Sequence, residues 1–148
     1  MANIVFNQAL GRLAHYASLP AANDGLILVA LEATGLVADS TMRDYDTLAD
    51  LLAGASNEQT AVTRKTLSGV TVTVNDTDNR VDIDAADVVY TTPTGNPVGA
   101  VVICYDPDTT TGTDADLIPL TKHDLSWTPD GNNFTLAISD FCRVSSAA

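Results

Sequence analysis

A chain of 148 residues, 45% apolar and 18% charged, has the length of one globular domain with a real core and is too apolar to be globally disordered. No run approaches eighteen consecutive apolar residues, and the opening Met1-Ala2-Asn3-Ile4-Val5-Phe6-Asn7-Gln8 lacks the basic and apolar regions of a secretory signal, so neither a membrane span nor export is expected. With 19 acidic against 7 basic residues the net charge is −12, which argues against nucleic acid and anionic membranes as partners, because both demand a clustered Lys/Arg face.

Such a charge favours solubility, or a non-adhesive surface displayed at high local concentration. Glu32 and Glu58 are the only glutamates; every other acidic residue is Asp, beside a large excess of Thr. Asp suits turns and caps and Thr suits strands, so the composition leans towards a β-protein with polar turns.

In chain order, the first signal is helical. From Asn7, a candidate N-cap, Ala9, Leu10, Leu13, Tyr16 and Ala17 recur at three- and four-residue spacing up to Pro20, although Gly11 weakens the interior. After the turn-like Asn23-Asp24-Gly25, the run Leu26, Ile27, Leu28, Val29, Ala30, Leu31 reads as a strand buried on both faces or as a segment buried against another subunit. Residues 41–53 are then expected to be one helix, with Met42, Tyr45, Leu48, Ala49 and Leu52 on one face, Asp39 or Ser40 at its start and Gly54 just past its end.

From Thr60 the apolar period changes to two. Val70, Val72 and Val74, then Val81, Ile83 and Ala85, flank the turn Asp76-Thr77-Asp78-Asn79 and predict a hairpin. Further strands are expected at 88–91, 98–105, 117–123 and 134–138, separated by Pro/Gly/Asn turns and by the Asp/Thr-rich stretch 106–116, which reads as an exposed loop. The fold class expected is mainly β: a β-sandwich or jelly-roll-like domain over 59–148. It is preceded by an N-terminal helical and assembly segment over 1–58 with two short helices and a buried apolar strand, the two forming one compact unit.

The chemical motifs are sparse. His15 falls within the first helix, while His123 beside Asp124 could form a dyad or approach Cys104, except that adjacent strand residues face opposite ways. The loop at 76–81 has Arg80 at a ligand place and Val81 where a calcium loop needs Gly; the loop at 106–117 has its Gly one residue late and Leu117 where a bidentate Glu belongs. Eight aromatic residues are too dispersed for a sugar or base platform, and Trp127 reads as packing under the Pro129-Asp130-Gly131 turn. Cys104 and Cys142 read as two reduced thiols, with a cross-strand disulfide as the alternative. No catalytic residue, cofactor site or metal site is expected, and the chain is read as a non-enzyme.

The phrases Leu19-Pro20-Ala21-Ala22-Asn23-Asp24, Leu31-Glu32-Ala33-Thr34-Gly35-Leu36 and Arg43-Asp44-Tyr45-Asp46-Thr47-Leu48-Ala49-Asp50-Leu51-Leu52-Ala53-Gly54 resemble a family of small virion structural proteins in tailed bacteriophages, chiefly those of actinobacteria. The likeness continues through Arg64-Lys65-Thr66-Leu67, Val72-Thr73-Val74-Asn75-Asp76-Thr77, Ile103-Cys104-Tyr105-Asp106 and Thr128-Pro129-Asp130-Gly131. It implies a non-enzymatic component of the virion, made in the host cytoplasm: a capsid decoration subunit that reinforces the shell, or a tail or baseplate protein. A host-surface-binding β-module using loops 91–97 and 106–116 is the competing reading.

The partners expected are other copies of the chain, with a trimer suggested by the resemblance, and other virion proteins such as the major capsid protein. The assembly interface expected comprises Phe6, Leu10, Leu13, Tyr16, Leu26, Ile27, Leu28, Val29 and Leu31. Packing of the same residues on the chain's own sandwich is the equal alternative.

Overall fold

The computed structural model describes residues 3–19, 23–54 and 56–145. Its strands are β1 (Ile4–Val5), β2 (Gly25–Glu32), β3 (Lys65–Thr66), β4 (Thr71–Asn75), β5 (Arg80–Asp84), β6 (Val88–Tyr90), β7 (Val98–Asp106), β8 (Ile118–Trp127), β9 (Phe134–Leu136) and β10 (Cys142–Ser145). Three short helices, α1 (Leu13–Ser18), α2 (Asp39–Met42) and α3 (Leu48–Ala53), and a 3-10 turn at Asn7–Ala9 complete the described chain. The fold is mainly β, with antiparallel sheets packed as a sandwich.

The largest sheet has the order β1-β8-β7-β2-β3, and smaller sheets are ordered β10-β5-β4 and β6-β9. The apolar run of β2 therefore lies inside the principal sheet, paired antiparallel with β7 from Gly25 opposite Asp106 to Glu32 opposite Val98. Alternation sends Leu26, Leu28 and Ala30 to a core shared with the smaller sheets and α1, and Val29 and Leu31 to a second core beneath α2 and α3. An antiparallel strand normally leaves one face to water; covering both faces explains why this one is continuously apolar. Because β1 and β2 come from 1–58 and β3, β7 and β8 from the rest, the boundary expected near residue 58 runs through a single sheet.

Both predicted helices are shorter than expected. Gly11 adopts φ +75°, a left-handed conformation that cannot continue a right-handed helix, so the first element is a 3-10 turn followed by α1. Asn7 caps no α-helix; its side-chain amide donates to Asp44 Oδ1 at 2.6 Å. The expected helix over 41–53 is two pieces, because Thr47 is extended and its Oγ1 accepts from Asp50 N at 3.1 Å as a fresh N-cap. The neighbouring amides of Leu48 and Ala49 donate to the carbonyls of Leu117 and Asp114, each at 3.0 Å, so a distant loop completes the new helix start. Gly54 follows the helix end as expected, at φ −79° and not in the left-handed region, and its missing side chain leaves room for the Tyr45 ring, which a Cβ would overlap.

The hairpin forms as expected, β4 and β5 pairing with Thr73 opposite Asp82 around a turn that Asn79 closes at φ +51°. The strands expected at 88–91, 98–105, 117–123 and 134–138 correspond to β6 to β9. Three were not anticipated: β1 and β3 are two residues long, and β10 pairs across almost sixty residues with β5, Cys142 opposite Ile83. Their periodicity is too brief to read, and only the partner strand defines them.

Candidate functional site

The expected assembly residues divide sharply by position. Phe6, Leu13, Leu26, Leu28, Val29 and Leu31 are buried within the chain itself, so the structure takes the alternative reading for them: they are core, and no neighbour is needed to shield them. Tyr16 and Ile27 are half-buried against the two cores, and only Leu10, 61% exposed beside Gly11, remains on the surface. Among the described residues the remaining large apolar side chains exposed to solvent are Val74, Val89 and Val144, none of which was singled out by helical periodicity.

The one histidine with a conceivable base role is set apart from its supposed partners. His123, opposite Val101, shares a cleft with Leu28 and Ile103, and its Nε2 lies 3.0 Å from Thr121 Oγ1. Burial, with the nearby charge of Lys122, lowers its pKa and leaves the ring neutral at pH 7. Asp124 also lines this cleft, but its carboxylate accepts from Lys122 and makes no hydrogen bond to the imidazole. Cys104 also belongs to the far face, in the core beneath the helices, where burial drives its thiol pKa strongly upward and keeps it protonated.

That cleft, about 480 Å³, opens between β8 and the segment from Leu136 to Arg143. Its apolar floor is Leu28, Val101 and Ile103, and Cys142 and Phe141 stand in its wall. Arg143 at the rim is bound to Asp140 at 2.7 Å. The two cysteines thus sit on opposite sides of the principal sheet, and both are free thiols.

The aspartate-rich loops are internally closed. Asp108 accepts from the amides and hydroxyls of Thr110 and Thr111, which hold its carboxyl well below the usual range, and Thr113 lowers Asp116 in the same way through its amide and hydroxyl. Asp130 is lowered by the side chain and amide of Asn132. Among the described residues no group of three His, Cys, Asp or Glu side chains is placed to hold a metal ion.

Most of the basic side chains are likewise engaged within the chain. Arg64 binds Glu58 through Nε and Nη2 at 2.7 and 2.6 Å and Asp114 through Nη1 at 2.5 Å, clasping two loops together. Lys122 is fully buried under α2, with Nζ 3.0 Å from Asp39 and also bonded to Asp124. Arg80 and Arg143 both reach Asp82, and Lys65 Nζ stands 5.5 Å from the centre of the Tyr90 ring. The tertiary fold also gathers aromatics that are scattered in sequence: Trp127 stacks on Phe134 at 4.1 Å and lies 5.7 Å from Tyr90, whose burial pushes its pKa up to about 12. Spacing alone could not signal this cluster, since the pairing of β6 with β9 is what creates it.

No family model, curated protein or solved structure matches the chain.

Proposed function

We propose that this chain is a non-enzymatic virion structural protein of a tailed bacteriophage, and specifically a capsid decoration subunit that binds the outside of the shell and reinforces it. The sequence phrases quoted above are the source of the reading, and one structural observation supports it. Four of the seven basic side chains, Arg64, Arg80, Lys122 and Arg143, are tied into ion pairs inside the chain, so the net charge of −12 is presented outward with little to offset it. A surface of this kind resists non-specific adhesion and suits a component crowded on a particle exterior. The braced sandwich, with the helix layer fastened to it through Lys122 and Asp39, suits a subunit whose task is mechanical.

The test is to purify particles, separate heads from tails and count the chain in each by quantitative mass spectrometry. Hundreds of copies on heads support decoration. Tens or fewer confined to tails move the assignment to a tail or baseplate protein, and absence from both overturns it.

A further inference from the structure

We infer that β4 is a self-association edge, pairing antiparallel with β4 of a second copy about a twofold axis through Thr73. In the sheet ordered β10-β5-β4 this strand is at the end, and among the described residues no backbone group beyond its own sheet bonds to it. It is the longest of the terminal strands, and its sequence Thr71-Val72-Thr73-Val74-Asn75 contains no charge and no proline, the devices that ordinarily keep an edge from pairing. On its apolar face Val74 stands in register with Val81 and Val144, forming a cross-strand valine row that runs out of the core. Val74 is 69% exposed and Val144 43% exposed, and Leu10 lines the same shallow groove as Val144. Among the described residues, three of the four exposed large apolar side chains therefore gather at this end of the molecule.

The strand complements itself. With Thr73 opposite Thr73, Val72 of one copy meets Val74 of the other on the apolar face, and Thr71 meets Asn75 on the polar face. The valine row then continues across the junction into the second copy. Charge leaves this edge open to a second copy: β4 itself carries no carboxylate, and of the two acidic residues opposite it on β5, Asp82 is paired with Arg80 and Arg143 while Asp84 accepts from the amides of Ala85 and Asp140. Such a contact is isologous and yields a dimer in place of the trimer that the resemblance suggests.

The purified full chain is measured by sedimentation velocity from about 5 to 200 μM, a range that brackets modest self-association. The expected species has twice the 15.5 kDa chain mass. Thr73→Asp and Thr73→Lys each oppose like charges across the axis and should each halve the mass, while an equimolar mixture of the two restores the dimer. Thr73→Lys faces Asp82 within its own sheet and so keeps a folded variant available even if Thr73→Asp is destabilised. Thr73→Cys in a Cys142→Ser background should cross-link copies under mild oxidant, because residues directly opposite in an antiparallel pair are within disulfide reach. A wild-type monomer at 200 μM overturns the inference, as does an oligomer indifferent to both Thr73 charges. Either failure leaves the particle count unaffected, and a chain absent from particles leaves the pairing intact, so the two readings fail separately.

Discussion

Asp108 illustrates how the acidic residues work singly: four donors from Thr110 and Thr111 converge on one carboxylate and close the turn that begins the 106–116 loop. Its pKa is depressed in the folded chain, as is that of Asp116, so the stabilisation they give is complete above the unfolded value of about 3.9 and is lost as pH falls below it. Protection of the amides of residues 108–116, taken relative to their intrinsic exchange rates at each pH, should fall as pH drops below about 4 before that of the core amides does, and an equal fall throughout would refute the local role. Arg64 works between loops, and its bidentate grip on Glu58 makes it more than an ordinary surface pair. Allowing for its partial exposure, Arg64→Met should cost about 1 to 2 kcal/mol in urea unfolding, against less than about 0.5 for exposed Arg12→Met.

Among the elements, β7 and its neighbours set the tightest constraints. The β7–β8 register shifts between Val98 and Ala100, and the intervening Gly99 lies so close to the loop after β2 that a Cβ would stand 2.6 Å from Ala33 Cα and 2.8 Å from Leu36 Cδ1. Ala33 Cα is backbone and cannot swing aside. Gly99→Ala should therefore lower stability by about 1 to 3 kcal/mol, read as a lower urea midpoint with unchanged slope. Strand placement also separates the thiols, Cys104 in β7 beneath the helices and Cys142 in β10 by the cleft. A thiol reagent should label Cys142 slowly and leave Cys104 untouched in the native chain, with both labelled in denaturant; an oxidised pair would show neither. The helices obey the same logic of context, since α3 begins where Leu117 and Asp114 supply carbonyls and not where apolar spacing begins.

For the molecule as a whole, the decisive fact is that the 26–31 run lies inside its own chain's principal sheet, between β7 and β3. Leu28 is 1% exposed and belongs to the core between the sheets. Leu28→Ala should cost about 2 to 5 kcal/mol, and the loss should be the same at 2 and 100 μM chain. A loss that grew on dilution would instead return this strand to a subunit interface. Among the described residues the exposed large apolar side chains include Val74 and Val144 of the valine row, a different region from the one that apolar run length suggested. Long-range pairing binds the two halves of the chain together, β1 to β8 and β2 to β7, so the N-terminal segment is not a detachable arm but part of the principal sheet.

Much of this was legible in the chain before folding. The period-two alternation of 70–85 and the turn residues around it specify a hairpin wherever it sits, because side-chain alternation and turn chemistry are local. The same holds for the β7, β8 and β9 regions, for the mainly β class and for the outward acidic charge, each a consequence of composition or short-range pattern. Tertiary structure alone decided which apolar residues face a core and which face water: Leu26 and Leu28 are buried and Leu10 is not, although all three read alike by hydropathy. It also broke the helix expected over 41–53 at Thr47, placed His123 and Cys104 on opposite sides of a sheet, gathered Trp127, Phe134 and Tyr90, and formed β10 by pairing it with a distant strand. Those outcomes depend on hydrogen-bond partners and neighbours supplied by residues far away in sequence, and no local pattern encodes where those residues will be.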